Sequence, residues 1–316
     1  MTETSAPRPV QRPRALGEVK GWFPSLDQVL FDRFLSRQER LGEHGDLLEM
    51  GVYMGKSAIF TGSYLRPGER FTVCDLFDAE DAPDAGNAAE ARKSYAALTR
   101  AAFEQNYLAF HDRLPEVVQG PTSLVPGVVE ADTCRFVHVD ASHLYEHVAM
   151  DIGTARRVLL PNGVVVLDDF RSEHTPGVAA ATWEAVFDRG LRPICLTTQK
   201  FYGTWGEPEP FLEELLGDTE WRAGISMSRQ QIAGRHVLRF SGRPPNPAAP
   251  ESRYGHERRD TEAGAARSAG LATPPVAGSS THPAAAPRRP SAARRIAVDI
   301  LPPIVTRTIR RRRRRS

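Results

Sequence analysis

The chain has 316 residues, of which 41% are hydrophobic, and a formal net charge of +2 at pH 7. This length allows one large domain or two small ones. No run of 18 apolar residues is present, and the first 20 residues lack the apolar stretch of a secretory signal, so the sequence disfavours a membrane span and a secreted protein. Three cysteines, roughly 60 residues apart in apolar runs, favour buried thiols in the cytoplasm over a disulfide framework or metal-binding cysteine pairs.

Charge divides the chain near residue 242. Residues 243–316 contain 16 arginines and no lysine against 5 acidic residues, a net charge of +11, which leaves −9 for residues 1–242. The basic segment is rich in Pro, Ala, Gly and Ser, and it cannot bury enough apolar surface to offset the loss of chain entropy. The sequence therefore predicts a flexible N-terminal arm (1–21), a folded domain (22–242) and a disordered basic tail (243–316).

A glycine-containing turn lies between a predicted strand, 47–50, and a predicted helix that begins at Lys56. The strand contains Glu49, and Gly51 and Gly55 follow it. Glycines allow a sharp turn and a close approach of a ligand to the backbone, and the first N–H groups of a helix attract carboxylates and phosphates. The turn lacks the closely spaced first glycines of the dinucleotide-binding pattern G-x-G-x-x-G. By itself it predicts either a ligand-binding loop or a plain connector.

Strands and helices alternate along the rest of the folded domain. Such alternation, with helices of 10–15 residues, indicates an α/β fold: a Rossmann-like, doubly wound, mostly parallel sheet with helices on both faces. We predict seven strands, the last two hairpin-like. They span 47–50, 71–74, 114–119, 134–139, 164–167, 192–197 and 235–240, and the longer predicted helices begin near residues 25, 56, 92, 145 and 177.

Four of the predicted strands end in acidic residues, which are Glu49, Asp75, Asp140 and the pair Asp168-Asp169. In an open parallel sheet, ligands bind at the edge formed by the carboxyl ends of the strands. An acid at the end of the second strand, where Asp75 lies, suits the ribose hydroxyls of a bound nucleoside. All four strand ends are therefore expected on one edge of the sheet, around one ligand.

Asp140 and the Asp168-Asp169 pair should lie close together, because consecutive strands joined by a helix usually neighbour one another. Converging carboxylates repel unless they are protonated or bound to a cation, and hard oxygen ligands suit Mg²⁺ or Ca²⁺. Asp140, Asp168 and Asp169 are thus a candidate divalent-metal site. The alternative is that one of the adjacent pair faces away, as a helix cap or in a salt bridge.

His143 lies three residues after Asp140, in the loop above the same edge. Histidine titrates near neutral pH, so a histidine among carboxylates at a strand end is a candidate general base. His138 lies within the strand and is expected in the core, and His147 follows His143 by one helical turn. The alternative for His143 is a purely structural histidine.

Four segments resemble, in this order and spacing, class I S-adenosylmethionine-dependent methyltransferases of the branch that includes macrocin O-methyltransferase, rhamnosyl O-methyltransferases and cephalosporin-hydroxylase-like proteins. The resemblance covers roughly residues 26–197. It departs from the family at Ala141 and Asn162, where glycine is frequent. The segments are LLEMGVYMGKS (47–57), VCDLF (73–77), FVHVDASHLYE (136–146) and PNGVVVLDDF (161–170).

The resemblance implies a role for each candidate residue. The turn at Gly51 and Gly55 and the acid Asp75 would hold S-adenosylmethionine, with Glu49 near its methionine end and Ser123 near its adenine. Further roles are implied at the reaction centre: Mg²⁺ would be bound by Asp140, Asp168 and Asp169, and His143, beside Asp140, would act as the base for a substrate hydroxyl.

The sequence therefore predicts an O-methyltransferase that acts on a hydroxyl of a sugar or a hydroxylated small molecule, with S-adenosylmethionine and Mg²⁺ as cofactors. Two alternatives stay open: an NAD-dependent oxidoreductase on the same fold, and a nucleic-acid methyltransferase guided by the basic tail. No nucleic-acid partner is expected, because the folded domain is acidic and no aromatic residues alternate with the basic run. The tail could instead touch an anionic surface, and the chain could form a homo-oligomer.

Overall fold

Nine strands form one sheet in the computed structural model, which describes residues 12–78, 98–217, 219–232 and 234–248. Seven strands run in one direction and two run antiparallel to them, which confirms the predicted α/β class and the mostly parallel sheet. The strands are β1 (Asp46–Met50), β2 (Phe71–Asp75), β3 (Glu116–Gln119), β4 (Cys134–Val139), β5 (Leu159–Leu167), β6 (Arg192–Leu196), β7 (Phe201–Thr204), β8 (Ile225–Ile232) and β9 (Arg235–Gly242), in the order β3-β2-β1-β4-β5-β7-β6-β9-β8.

Helices cover both faces of this sheet, as predicted. Alternate residues of each central strand face opposite sides: Leu47 packs into one apolar cluster and Leu48 into the other. The helices are α1 (Ser25–Arg40), α2 (Lys56–Gly62), α3 (Arg100–Tyr107) and α6 (Glu209–Gly217), which contribute to the first cluster, and α4 (Tyr145–Val158) and α5 (Pro176–Asp188), which contribute to the second.

The sheet has nine strands where seven were predicted, because β7 and β8 carry weak sequence signals. β7 is only four residues long and contains Gly203, yet it inserts between β5 and β6. The turn that reverses the chain before β7 depends on Thr197, whose Oγ1 accepts hydrogen bonds from the N–H groups of Gln199 and Lys200, at 3.3 and 2.9 Å. Short polar turns of this kind are built by such hydroxyl contacts. β8 pairs with β9 as a hairpin at the edge of the sheet.

The folded domain begins before residue 22, where the predicted arm was expected to end. A short 3-10 helix spans Leu16–Glu18, Val19 is 2% exposed, and Lys56 Nζ donates a hydrogen bond to the carbonyl of Gly21 at 3.2 Å. The apolar Val19 explains this packing. The first half of the predicted arm, the first residues of the helix predicted from residue 92, and nearly all of the basic tail lie outside the described residues.

The carboxyl ends of β1, β2, β4 and β5 are aligned by backbone hydrogen bonds. Gly51 N–H donates to the carbonyl of Cys74 at 2.7 Å, and Asp140 N–H donates to Met50, also at 2.7 Å. Asp168 N–H donates to Val139 at 3.0 Å. The four acidic strand ends therefore lie along one edge of the sheet. Within the described residues, no helix is long and apolar enough to cross a bilayer.

Candidate active site

The turn after β1 passes very close to the end of β4. Gly51 has a φ of +83°, and a Cβ built on it would lie 2.0 Å from the carbonyl oxygen of Asp140. Only glycine adopts this backbone conformation without strain and leaves room for such a contact. Gly55, with a φ of +89°, ends the turn and packs against the ring of Phe103. The two glycines bring the turn into contact with the residues that follow β4.

A cavity of about 260 Å³ opens at this edge of the sheet. Five predicted site residues line it, contributed by β1, β2, β4 and the loop after β3. A pocket of this kind, at the carboxyl edge of a parallel sheet, is where ligands bind in α/β folds. The five are Gly51, Asp75, Ser123, Asp140 and His143, and they share the wall with Tyr53, Phe77, Leu98, Thr122, Ser142, His147 and Met150 among others.

Asp75 also holds the turn in place. Its Oδ2 accepts hydrogen bonds from the N–H groups of Val52 and Tyr53, at 2.7 and 2.9 Å, and its Oδ1 accepts one from Phe77 N–H at 2.8 Å. A carboxylate oxygen has a second lone pair, so Asp75 can accept from a ligand hydroxyl while it keeps these bonds. The acid at the end of β2 therefore serves both the turn and the cavity.

Glu49 lies beneath the cavity and does not line it. It is fully buried, and its Oε1 accepts a short hydrogen bond from Ser57 Oγ and lies 3.1 Å from His138 Nδ1. The sequence predicted Glu49 beside the methionine end of the cofactor; the structure places it one layer deeper. Its other oxygen, Oε2, is buried with no hydrogen-bond partner among the described residues.

Asp140 and Asp168 come together as predicted. An oxygen of each, with a nitrogen of His138, lies within 4.8 Å of the other two ligand atoms. Burial and the charge of Asp168 raise the pKa of Asp140 well above its ordinary value, as is expected where two carboxyl groups converge in a desolvated site.

Lys200, at the start of β7, supplies the positive charge of this cluster. Its side chain is fully buried, and Nζ donates a short hydrogen bond to Asp168 Oδ2 and another to His138 Nε2 at 3.2 Å. Burial acts to lower the pKa of Lys200, but Asp168, Asp140 and Asp27 outweigh it, so the pKa is raised and the ammonium stays charged. A buried ammonium is tolerated only when it is paired in this way.

Asp169 faces His143, as the alternative weighed in the sequence analysis anticipated for one of the two adjacent acids. The carboxylate Oδ2 lies 3.1 Å from His143 Nε2, and Oδ1 accepts a hydrogen bond from Ser172 Oγ at 2.7 Å. Hydrogen bonding from His143 lowers the pKa of Asp169 to about 2. A carboxylate bonded to an imidazole fixes the orientation of the ring and stabilises the imidazolium that forms when the ring accepts a proton.

We expect Asp169→Asn to remove a pH-dependent part of the stability. The folded-state pKa of Asp169 lies below its unfolded value, so its ionised form stabilises the fold at neutral pH, by about 1–2 kcal/mol after solvent screening. That contribution is lost as the pH falls from about 4 to about 2. In urea unfolding, the difference between wild type and variant should shrink across this window. Asp188→Asn, at an exposed position, is the control and should show no such change; a constant difference for Asp169→Asn would contradict the assignment.

The arrangement differs from the predicted Mg²⁺ site, because Asp169 does not join Asp140 and Asp168. Asp169 is turned to His143, and both oxygens of Asp168 already accept hydrogen bonds, Oδ1 from Asp169 N–H at 2.8 Å and Oδ2 from Lys200. Mg²⁺ requires near-octahedral oxygen ligands at about 2.1 Å, and a protonated lysine beside them repels a second cation. Asp168 is thus paired with a lysine and Asp169 with a histidine.

Sequence reasoning missed Lys200 and the role of His138. Lys200 lies in a stretch without recognisable pattern, and its position at the site depends on β7 running antiparallel between β5 and β6. His138 was expected in the core, and it is fully buried there. One signal for Lys200 was available: it directly precedes the apolar residues of β7, so a strand assignment would have placed it at the end of that strand.

Residues 48–170 match the model of a protein family described as a methyltransferase domain. The matched segment runs from β1 to just beyond β5 and contains the turn, Asp75, Asp140, His143 and the Asp168-Asp169 pair. Residues 48–170 therefore form a methyltransferase domain. The resemblance noted in the sequence is confirmed at this level, and the narrower branch stays a prediction.

Solved structures similar to the methyltransferase include the O-methyltransferase NovP, with 20% identity over 57% of this chain and 79% of that chain and a TM-score of 0.45. They also include CalS11, a TDP-rhamnose 3'-O-methyltransferase of calicheamicin biosynthesis, with 22% identity over 58% and 80% and a TM-score of 0.36. Podospora anserina PaMTH1, bound to S-adenosylhomocysteine, has 14% identity over 58% and 83% and a TM-score of 0.38. No curated protein matches the chain.

Proposed function

We propose that the methyltransferase transfers the methyl group of S-adenosylmethionine to a hydroxyl oxygen of a sugar or another hydroxylated small molecule. The observation that carries this proposal is the His143–Asp169 pair at 3.1 Å, because His143 lies in the wall of the same cavity as Gly51, Asp75 and Ser123. The choice of oxygen as acceptor is supported by the four sequence segments that resemble O-methyltransferases.

The cavity wall offers the groups that a nucleoside with an amino-acid tail requires. The close approach of Gly51 to Asp140 leaves a backbone surface without side chains. Asp75 would accept hydrogen bonds from the ribose hydroxyls, and Ser123, in the 3-10 helix Thr122–Gly127, would contact the adenine. Gly55 ends the turn. Glu49 would support the site indirectly, through its contacts with His138 and Ser57.

When bound, S-adenosylmethionine supplies a methyl group already activated by its sulfonium charge. The protein's task is then to align the acceptor and to take its proton. His143 would accept the proton of the acceptor hydroxyl, and Asp169 would stabilise the resulting imidazolium. Asp140 lies in the cavity wall three residues from the base, where its carboxyl group can hydrogen-bond an acceptor hydroxyl. The scheme assigns no step to Mg²⁺, because Lys200 engages Asp168 and His143 engages Asp169.

A cofactor comparison tests the proposal directly. We expect S-adenosylhomocysteine to raise the Tm of the full chain in a concentration-dependent manner, because a ligand that binds only the folded state stabilises it. NAD should leave the Tm unchanged, since the turn lacks the dinucleotide glycine pattern. Asp75→Ala is the matched variant and should lose the shift. A shift with NAD alone would favour the oxidoreductase alternative and contradict the proposal.

A second experiment tests whether the atom that accepts the methyl group is a hydroxyl oxygen. It measures S-adenosylhomocysteine formation with panels of sugars, sugar nucleotides and phenols. Turnover with a hydroxylated acceptor, and none with its deoxy analogue, is the expected result. Turnover that instead requires an amine or a nucleic acid would overturn the acceptor class while leaving cofactor binding intact.

A further inference from the structure

A buried chain of polar side chains runs beneath the cavity from the start of α2 to the end of β5. Ser57 Oγ donates to Glu49 Oε1, which lies 3.1 Å from His138 Nδ1, and on the far side His138 Nε2 lies 3.2 Å from Lys200 Nζ. Lys200 then donates to Asp168. We call these five residues the polar chain. Every one of them is less than 10% exposed.

The hydrogen bond from Lys200 determines which tautomer His138 adopts. A lysine ammonium can only donate hydrogen bonds, so His138 Nε2 must accept. The ring proton of the neutral imidazole then lies on Nδ1, where it points to the carboxylate of Glu49. The Nε2 lone pair of His138 is therefore occupied by Lys200.

The neighbouring carboxylates are engaged as well. Asp168 accepts from Lys200 on Oδ2 and from Asp169 N–H on Oδ1, and Asp169 is bonded to His143 and Ser172. Of the groups that converge at the end of β4 and β5, the ammonium of Lys200 therefore contacts two of the three that could ligate a metal, His138 and Asp168.

We propose that the ammonium of Lys200 is the resident cation of this site, which holds Asp168 beside Asp140 and makes a bound Mg²⁺ unnecessary. Lys200 is fully buried and does not reach the cavity, so it is a positioning residue that acts through Asp168. It directly precedes β7, the strand beside β5, in which Phe201 pairs with Leu167. This inference concerns cation binding and holds whichever acceptor the methyltransferase uses.

The wild-type chain provides the first test. After dialysis against EDTA, we expect isothermal titration calorimetry with MgCl₂ to give no saturable binding, and millimolar MgCl₂ to leave the Tm unchanged. Methyl transfer, once an acceptor is known, should be the same in EDTA and in MgCl₂. A saturable isotherm that is lost in Asp168→Asn, or turnover abolished by EDTA and restored by Mg²⁺, would overturn the proposal.

Removal of the lysine charge provides the second test. Lys200→Met keeps the length of the side chain but leaves Asp168 without its cation, so we expect a lower Tm and a gain of Mg²⁺ binding, seen as an isotherm and as a rise in Tm with MgCl₂. Turnover should be lost in EDTA and partly recovered with MgCl₂. A purely structural lysine predicts a lower Tm with no gain of metal binding, and that result would count against a cation role.

Two control variants separate charge from folding. Lys200→Met combined with Asp168→Asn removes both partners of the ion pair, so the Tm should recover relative to Lys200→Met and no Mg²⁺ binding should appear. Lys20→Met, at an exposed position, should change neither the Tm nor the response to metal. Should Lys200→Met fail to fold, the wild-type titration and the double variant still decide the question.

Discussion

Replacement of His143 by alanine is expected to lower kcat by about 10²–10⁴-fold, the usual contribution of a positioned general base. The affinity for S-adenosylhomocysteine should stay unchanged, because the proposed function assigns cofactor binding to Gly51, Asp75 and Ser123. The physical reason is that, among the described residues, His143 is the imidazole paired with Asp169, whose Oδ2 lies 3.1 Å from His143 Nε2. Steady-state rates and a thermal shift with S-adenosylhomocysteine measure the two effects independently.

A pH profile distinguishes loss of the base from loss of structure. The rate of the wild type should fall as the pH drops below the pKa of the base, while the residual rate of His143→Ala should lack that limb. His236→Ala, an exposed position on β9, is the control and should retain wild-type kcat. A rate for His143→Ala within a few-fold of wild type would assign the proton transfer to another group.

Gly51→Ala is expected to destabilise the protein by about 2–5 kcal/mol and to abolish binding of S-adenosylhomocysteine. A non-glycine residue in the left-handed region costs about 1–2 kcal/mol, and a forced overlap in a packed site adds about 1–3 kcal/mol. The overlap is with backbone, since the new Cβ would meet the Asp140 carbonyl at 2.0 Å, and backbone cannot rotate away. Relief of the clash must separate β1 from β4 at the cavity, so stability and binding are lost together.

Gly68→Ala is the control that introduces the backbone strain without the clash. Gly68 has a φ of +87°, close to the +83° of Gly51, but no atom lies within 4 Å of a Cβ built on it. This variant should cost only the strain of about 1–2 kcal/mol and should bind S-adenosylhomocysteine normally. Urea unfolding and thermal shift on both variants give the comparison, and equal losses would show that the close approach has no energetic role.

The sequence predicted β1, β2 and β4 well because their signals are local. Each is a short and mostly buried run, as parallel strands are. β3 is not buried, and the first half of β5 was predicted as the end of a helix. The acids at the strand ends follow from the same pattern, so Asp75 and Asp140 could be placed at one edge before any coordinates were known. The rule that helix-linked strands lie side by side then brought Asp168 to Asp140.

The remaining features depend on contacts between distant parts of the chain. No local pattern distinguishes Asp168 from Asp169, yet one bonds Lys200 and the other His143. Asp169 has a φ of +52°, and this sharp change of backbone direction turns two consecutive side chains to different partners. The sequence analysis did not place Lys200 at the site for a similar reason. Lys200 lies about 30 residues beyond Asp168, directly before a strand whose short sequence resembles a loop.

The insertion of β7 between β5 and β6 has a consequence for how the chain must assemble during synthesis. Asp168, at the end of β5, emerges from the ribosome before Lys200, so the ion pair between them can form only after residue 200 has been made. The central sheet likewise cannot be completed before β7 has been synthesised, because β7 lies between β5 and β6.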